Sequence, residues 1–164
     1  MTTDAVKVDA FGLTDIGKDR PLNEDQFVIA SLRKSVRIRH TSLDDPALGD
    51  RLGGAEAQLF VVADGVGGRP GGELASGSAV ASLLEFVDQA VVSYHSLDVD
   101  QEHEFLARLE EMVHRAHERI LGEFGVAGKG PATTLTMVTL IWPRAYLVHV
   151  GDSRAYYLRQ GRLR

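Results

Sequence analysis

Three stretches of this 164-residue sequence place acids where chemistry could use them. In "LFVVADGVGGRPGGELAS" (59–76) an apolar run ends on Asp64, and five glycines follow within eight residues. A strand buried along its length delivers its last side chain to a fixed point, as a metal site requires. Glycine immediately after it lets the backbone turn sharply and bring a carbonyl close to an ion. Mg²⁺ and Mn²⁺ take oxygen ligands from carboxylates, carbonyls and water. Asp64 with the Gly65 carbonyl is therefore a plausible half-site. Taken alone, a tight strand-to-helix turn with an acid near the helix start explains this stretch equally well.

The other two stretches break that tie. "GKDRPLNED" (17–25) sets adjacent carboxylates, Glu24 and Asp25, four and five residues after Arg20. One acid can bind an ion while its neighbour orients a coordinated water, and the arginine offers a planar fork suited to two phosphate oxygens. "VHVGDSRAY" (148–156) again ends an apolar run in glycine plus acid, Gly151-Asp152. Singly, these read as a solvated turn and a hairpin turn. Together with Asp64 they point to metal-assisted phosphoryl chemistry.

Other chemistries fail on spacing or composition. The dinucleotide pattern G-x-G-x-x-G counted from Gly65 meets Pro70 at its last position. A near miss for a P-loop, "GEFGVAGKGP" (122–131), has Glu123 where glycine is required and Gly130 where Ser or Thr would bind magnesium. "DVD" (98–100) lies in a polar linker and not at a strand end. With no cysteine, disulfides, thiolate metal sites and thiol nucleophiles are excluded. A net charge of -5 argues against a nucleic-acid partner, and the basic stretch 33–40 carries no interleaved aromatic. No secretory leader pattern is present, and no apolar run approaches the ~20 residues of a membrane span. A soluble, cytoplasmic single domain is expected.

The elements that must position these acids follow from periodicity. Alternation predicts strands at 6–12 and 26–32 and around Val36 and Ile38, with a loop over 40–57 and a strand at 58–63 that is apolar from Leu59 onward. A helix is expected over 73–92, its Gly77 and serines packing closely on a neighbour. A second, over 101–124, presents Phe105, Leu109, Met112, Ala116 and Ile120 as one stripe. Strands at 133–142 and 145–150, split at Pro143-Arg144, are followed by one at 154–159 that ends in a Gln160-Gly161 turn. Trp142 reads as a strand-end anchor, His149 as a sheet-surface residue, and His114 and His117 as a solvated helix face. Strands joined by tight turns and segregated from two helices imply an α+β fold with antiparallel pairing.

The segments "TDIGKDRPLNED" (14–25), "ADGVGG" (63–68) with "GGELAS" (71–76), "ATTLT" (132–136) and "VGDSRAYYLRQGRL" (150–163) resemble, in order, the PPM family of metal-dependent type 2C serine/threonine protein phosphatases in its bacterial form. The resemblance implies a four-layer α-β-β-α sandwich of two antiparallel sheets flanked by helices, of which residues 1–164 would be the N-terminal portion. It implies that Asp64 bridges two Mn²⁺ or Mg²⁺ ions and that the Gly65 carbonyl and Glu24 bind one of them. Asp25 would hold the water shell, Arg20 would grip the substrate phosphate, and Asp152 would serve a third ion. The substrates would be phosphoproteins, opposite a serine/threonine kinase, and the attacking group a hydroxide held between two ions. Val66 stands where many eukaryotic members have histidine, and Ala132 where the family usually has glycine. The family's further aspartates, from a DG and a DN motif beyond the GDSR strand, have no counterpart here. A non-catalytic pseudophosphatase or regulatory binding module is the alternative.

Overall fold

The computed structural model describes residues 8–35, 53–66, 71–90, 99–124 and 130–164. Strand β1 (Asp25–Ser35) pairs with β2 (Gly53–Asp64), β2 with β3 (Leu135–Ile141), and β3 with β4 (Arg144–Val150). Every pairing is antiparallel, and the strand order is β1-β2-β3-β4. Period-2 alternation sends Ala57, Leu59, Val61 and Ala63 of β2, and Leu135, Met137, Thr139 and Ile141 of β3, to one buried face.

Helices α1 (Gly72–Ala90) and α2 (Val99–Phe124) cover that face. Leu83 and Val87 of α1 and Phe105, Leu109 and Met112 of α2 join the strand residues in one core, each such side chain contributing about 1.5–3 kcal/mol when fully buried. Phe105 meets the Tyr146 ring edge-on, centroids 4.9 Å apart. All five residues of the predicted α2 stripe are buried. Its opposite side carries the solvated i,i+4 pairs Glu104–Arg108, Glu111–Arg115 and Arg119–Glu123, and His114 and His117 are exposed there as expected.

The fold is α+β, and the described residues build a helix layer and a sheet, two of the four layers expected. A two-stranded hairpin, β5 (Leu158–Arg159) with β6 (Arg162–Leu163), turns at Gln160-Gly161. On the sheet's other face the ladders align two apolar rows, Phe27–Val62 and Ile29–Phe60–Val138–Leu147. Phe27, Ile29, Val62 and Leu147 of these rows are exposed. No helix among the described residues is long and apolar enough to cross a membrane.

Several expectations need correction. Residues 8–12 of the predicted first strand are not a strand, and no described strand pairs with them; residues 6–7 lie outside the described residues, as do Val36, Ile38 and helix positions 91–92. Residues 53–57, read as loop, begin β2, because backbone pairing with β1 and β3 overrides their glycine-rich composition. Val99 and Asp100, read as linker, open α2. Of the predicted strand 154–159 only the end pairs with a neighbour, Leu158–Arg159 as β5 and Tyr157 through two main-chain bonds with Arg164. Trp142, expected to anchor, lies in the β3–β4 turn with 72% of its surface exposed. A Cβ added at Gly77 meets nothing, so that glycine permits no close packing. The close approach belongs to Ser76, which is fully buried.

Candidate metal and phosphate site

The β1–β2 register sets the geometry. Asp25, the first residue of β1, lies directly opposite Asp64, the last of β2. Directly opposed residues in an antiparallel pair hold their side chains about 5 Å apart, so two carboxylates meet at one sheet end. The Asp25 carboxyl is held above its ordinary value by burial, by the Asp64 charge and by a hydrogen bond with Asp64; Arg20 opposes the shift and Glu24 adds to it.

The segment before β1 is tied down locally. The Asn23 amide donates to Thr14 Oγ1 at 2.8 Å, and Asn23 Oδ1 accepts from the Asp25 N–H at 3.0 Å. Asp15 Oδ1 accepts from the Gly17 N–H at 2.8 Å. Arg20 Nη1 lies 3.2 Å from Glu24 Oε2, the arginine half-exposed and the glutamate mostly covered. The Glu24 main-chain carbonyl accepts from the Ser76 hydroxyl at 2.7 Å and from the Gly65 N–H at 3.1 Å. Glu24 is thereby locked to both the Gly65 turn and, through Ser76, the N-terminal part of α1.

That approach explains two of the glycines. A Cβ at Gly65 would sit 2.5 Å from the Gly72 carbonyl oxygen, and one at Gly72 would sit 2.7 Å from Glu24 Oε1. Main chain and carboxylate come together only because both positions lack a side chain. Glycines 67 and 68 lie outside the described residues.

Arg20, Glu24, Asp25 and Asp64 line one cavity of about 280 Å³, together with Asp15, Lys18, Asp19 and Asn23. Gly65 does not line it, and neither does Asp152. Its turn reaches Asp64 indirectly: Ser153 Oγ lies 2.8 Å from Thr134 Oγ1, which accepts from the Asp64 N–H at 3.1 Å. The Asp64 carbonyl accepts from the Thr134 N–H at 2.8 Å and the Thr133 hydroxyl at 3.0 Å.

The donor set is all oxygen, which suits Mg²⁺ or Mn²⁺. Among the described residues no three Asp, Glu or His side chains already form a cage. Hard cations of this type are commonly held by one or two carboxylates, with water and substrate phosphate completing the shell. The opposed pair Asp25–Asp64, beside Glu24 and the Gly65 main chain, fits that requirement.

The profile of the family described as protein phosphatase 2C matches residues 36–164. The chain belongs to the protein phosphatase 2C family. Over 111 residues this phosphatase 2C chain is 35% identical to the serine/threonine protein phosphatase PstP of Mycobacterium tuberculosis, covering 66% of this chain and 20% of that one. Its fold matches the S. agalactiae serine/threonine phosphatase with a TM-score of 0.60 at 24% identity, over 93% of this chain and 52% of that structure. It also matches the catalytic domain of PstP solved with two manganese ions, with a TM-score of 0.50 at 27% identity, over 85% of this chain and 53% of that one. The chain thus spans about half the length of these two solved phosphatases.

Within this phosphatase 2C chain, Asp64, Gly65 and Asp152 fall inside the matched span, and Arg20, Glu24 and Asp25 precede it. Sequence reasoning missed Asn23, Ser76, Thr133, Thr134 and Ser153. Each acts through a hydrogen bond to a residue up to 70 positions away, as between Thr134 and Asp64. The "ATTLT" segment was visible as a likeness but carried no spacing from which a role for its hydroxyls could be read.

Proposed function

We propose that this chain carries the phosphate- and metal-binding half-site of a metal-dependent hydrolase acting on phosphoserine and phosphothreonine in proteins. The observation that supports the reading is the opposition of Asp25 and Asp64 in one cavity with Glu24 and Arg20. In this reading Asp64, the Gly65 carbonyl and Glu24 would hold Mn²⁺ or Mg²⁺, and Asp25 would accept hydrogen bonds from water beside the ion. Asp152 serves a further ion outside the cavity. The bound cations supply Lewis acidity, which activates water near neutral pH and stabilises charge on phosphate oxygens.

The chain's own groups do the rest. Arg20 spends one nitrogen on Glu24 and keeps the remaining donors of its fork for phosphate oxygens. Its charge there opposes the negative charge spread over the equatorial oxygens. Glu24 orients that guanidinium while its own backbone is fixed by Ser76 and Gly65. No Ser, Thr, Cys or His is among the described residues that line the cavity, so direct attack by water suits it better than a hydroxyl, thiol or imidazole nucleophile.

The chain's partners in this reading are phosphoproteins, opposite a serine/threonine kinase in the cytoplasm, and residues 1–164 are part of a single phosphatase domain. The coverage of about half of two solved phosphatases supports the last point. The test is phosphate release from a phosphothreonine peptide, with Mn²⁺ added, by the complete phosphatase domain of which this chain is part. Activity should vanish with EDTA and in Asp64→Asn, and fall on the order of 100-fold in Arg20→Ala. Release that is indifferent to EDTA and to Asp64→Asn rejects the reading. No release together with no Mn²⁺ binding favours a non-catalytic binding module.

A further inference from the structure

Thr134 stands where two acidic turns meet. It is 6% exposed. Its hydroxyl accepts from the Asp64 N–H at 3.1 Å and lies 2.8 Å from Ser153 Oγ, the residue after Asp152. Its own N–H donates to the Asp64 carbonyl at 2.8 Å. Both main-chain groups of Asp64 are therefore bound to this one residue. The packing is equally close on the other side: Gly151 has φ 105°, and a Cβ there would lie 2.7 Å from Thr134 Cγ2.

We infer that Thr134 is a positioning residue that couples the Asp152 turn to the Asp64 site through the Ser153–Thr134 hydroxyl pair. This inference rests on the metal-binding reading given above. Asp64 is aimed by its backbone, and the backbone is aimed by Thr134. The Thr134 hydroxyl has one proton and two lone pairs. One lone pair serves Asp64, so the direction in which the hydroxyl points is fixed jointly by Asp64 and Ser153. Shifting the 151–153 turn moves the acceptor on which Asp64 hangs. Occupancy at one acid is then felt at the other, and the coupling is reciprocal. Loss of a group that orients a ligand in this indirect way typically weakens metal binding by 10–100-fold.

The test is Mn²⁺ calorimetry on the full chain, with a thermal melt of each metal-free variant. Thr134→Val keeps the shape and removes the hydroxyl, and it should weaken Mn²⁺ on the order of 10-fold. Thr134→Ser keeps the hydroxyl and should remain within a few-fold of wild type. Ser153→Ala leaves every cavity-lining residue intact, and it should still weaken binding. If Thr134→Val fails to fold, Ser153→Ala and Thr134→Ser carry the test. Wild-type binding that is unchanged in Ser153→Ala, and in any folded Thr134→Val, overturns the coupling and leaves the metal reading standing. A wild type that binds no Mn²⁺ overturns the metal reading itself.

Discussion

Asp25 is the residue at which the cavity's electrostatics are most exposed to measurement. Its carboxyl is raised above the ordinary value by burial and by Asp64. A carboxyl with a higher pKa folded than unfolded holds its proton more tightly in the native state. Its penalty is absent below the ordinary aspartate range and complete above the raised value. In EDTA, Asp25→Asn should therefore melt higher than wild type at neutral pH, with the difference closing as pH falls through the carboxylate range. Melts that differ by the same amount at every pH would contradict this. Asp25 also shows what was legible at this scale. The acids, Arg20 and the glycine turn stood out because residue type and neighbours sufficed. The opposition of Asp25 and Asp64 did not, because it depends on a register between residues 39 positions apart.

At the scale of elements, α2 was readable because its buried residues recur at helical spacing and its other face is charged. The start of β2 was not, because Gly53 and Gly54 look like loop until β1 supplies a partner. Residues 8–12 erred in the opposite direction. Alternation predicts a strand only if a neighbour exists to receive it. Thr139 shows a similar limit inside β3: it is fully buried, and its hydroxyl finds no partner among the described residues. An unsatisfied buried hydroxyl is a cost that an isosteric methyl removes. Thr139→Val should stabilise the protein by about 1 kcal/mol, raising Tm by about 2–4 °C for a chain of this size. A lower Tm would mean that the hydroxyl has a role.

At the scale of the whole molecule, one face of the sheet is buried under helices, and among the described residues the other is partly exposed, with Gly12 close against the Phe27 ring. That face carries apolar rows, the nearer of which, Phe27–Val62, lies two residues along each strand from Asp25 and Asp64. Contiguous exposed apolar surface is unusual on a soluble domain and binds apolar dyes. The native chain should enhance anilinonaphthalene sulfonate fluorescence, and Ile29→Lys with Leu147→Lys should reduce it without lowering helix content. Equal fluorescence in the double variant would place the dye elsewhere. Residues 59–63 of β2 are apolar without interruption, so this strand brings apolar side chains to both faces of the sheet.

In the proposed site, oxygens from the β1 start and the β2 end would share a divalent cation. Anomalous diffraction at the manganese edge from crystals grown with Mn²⁺ tests it most directly. A manganese peak is expected at the Asp64 carboxylate, with Glu24 and the Gly65 carbonyl beside it. Manganese bound only at sites remote from Asp64, at saturating concentration, would contradict it.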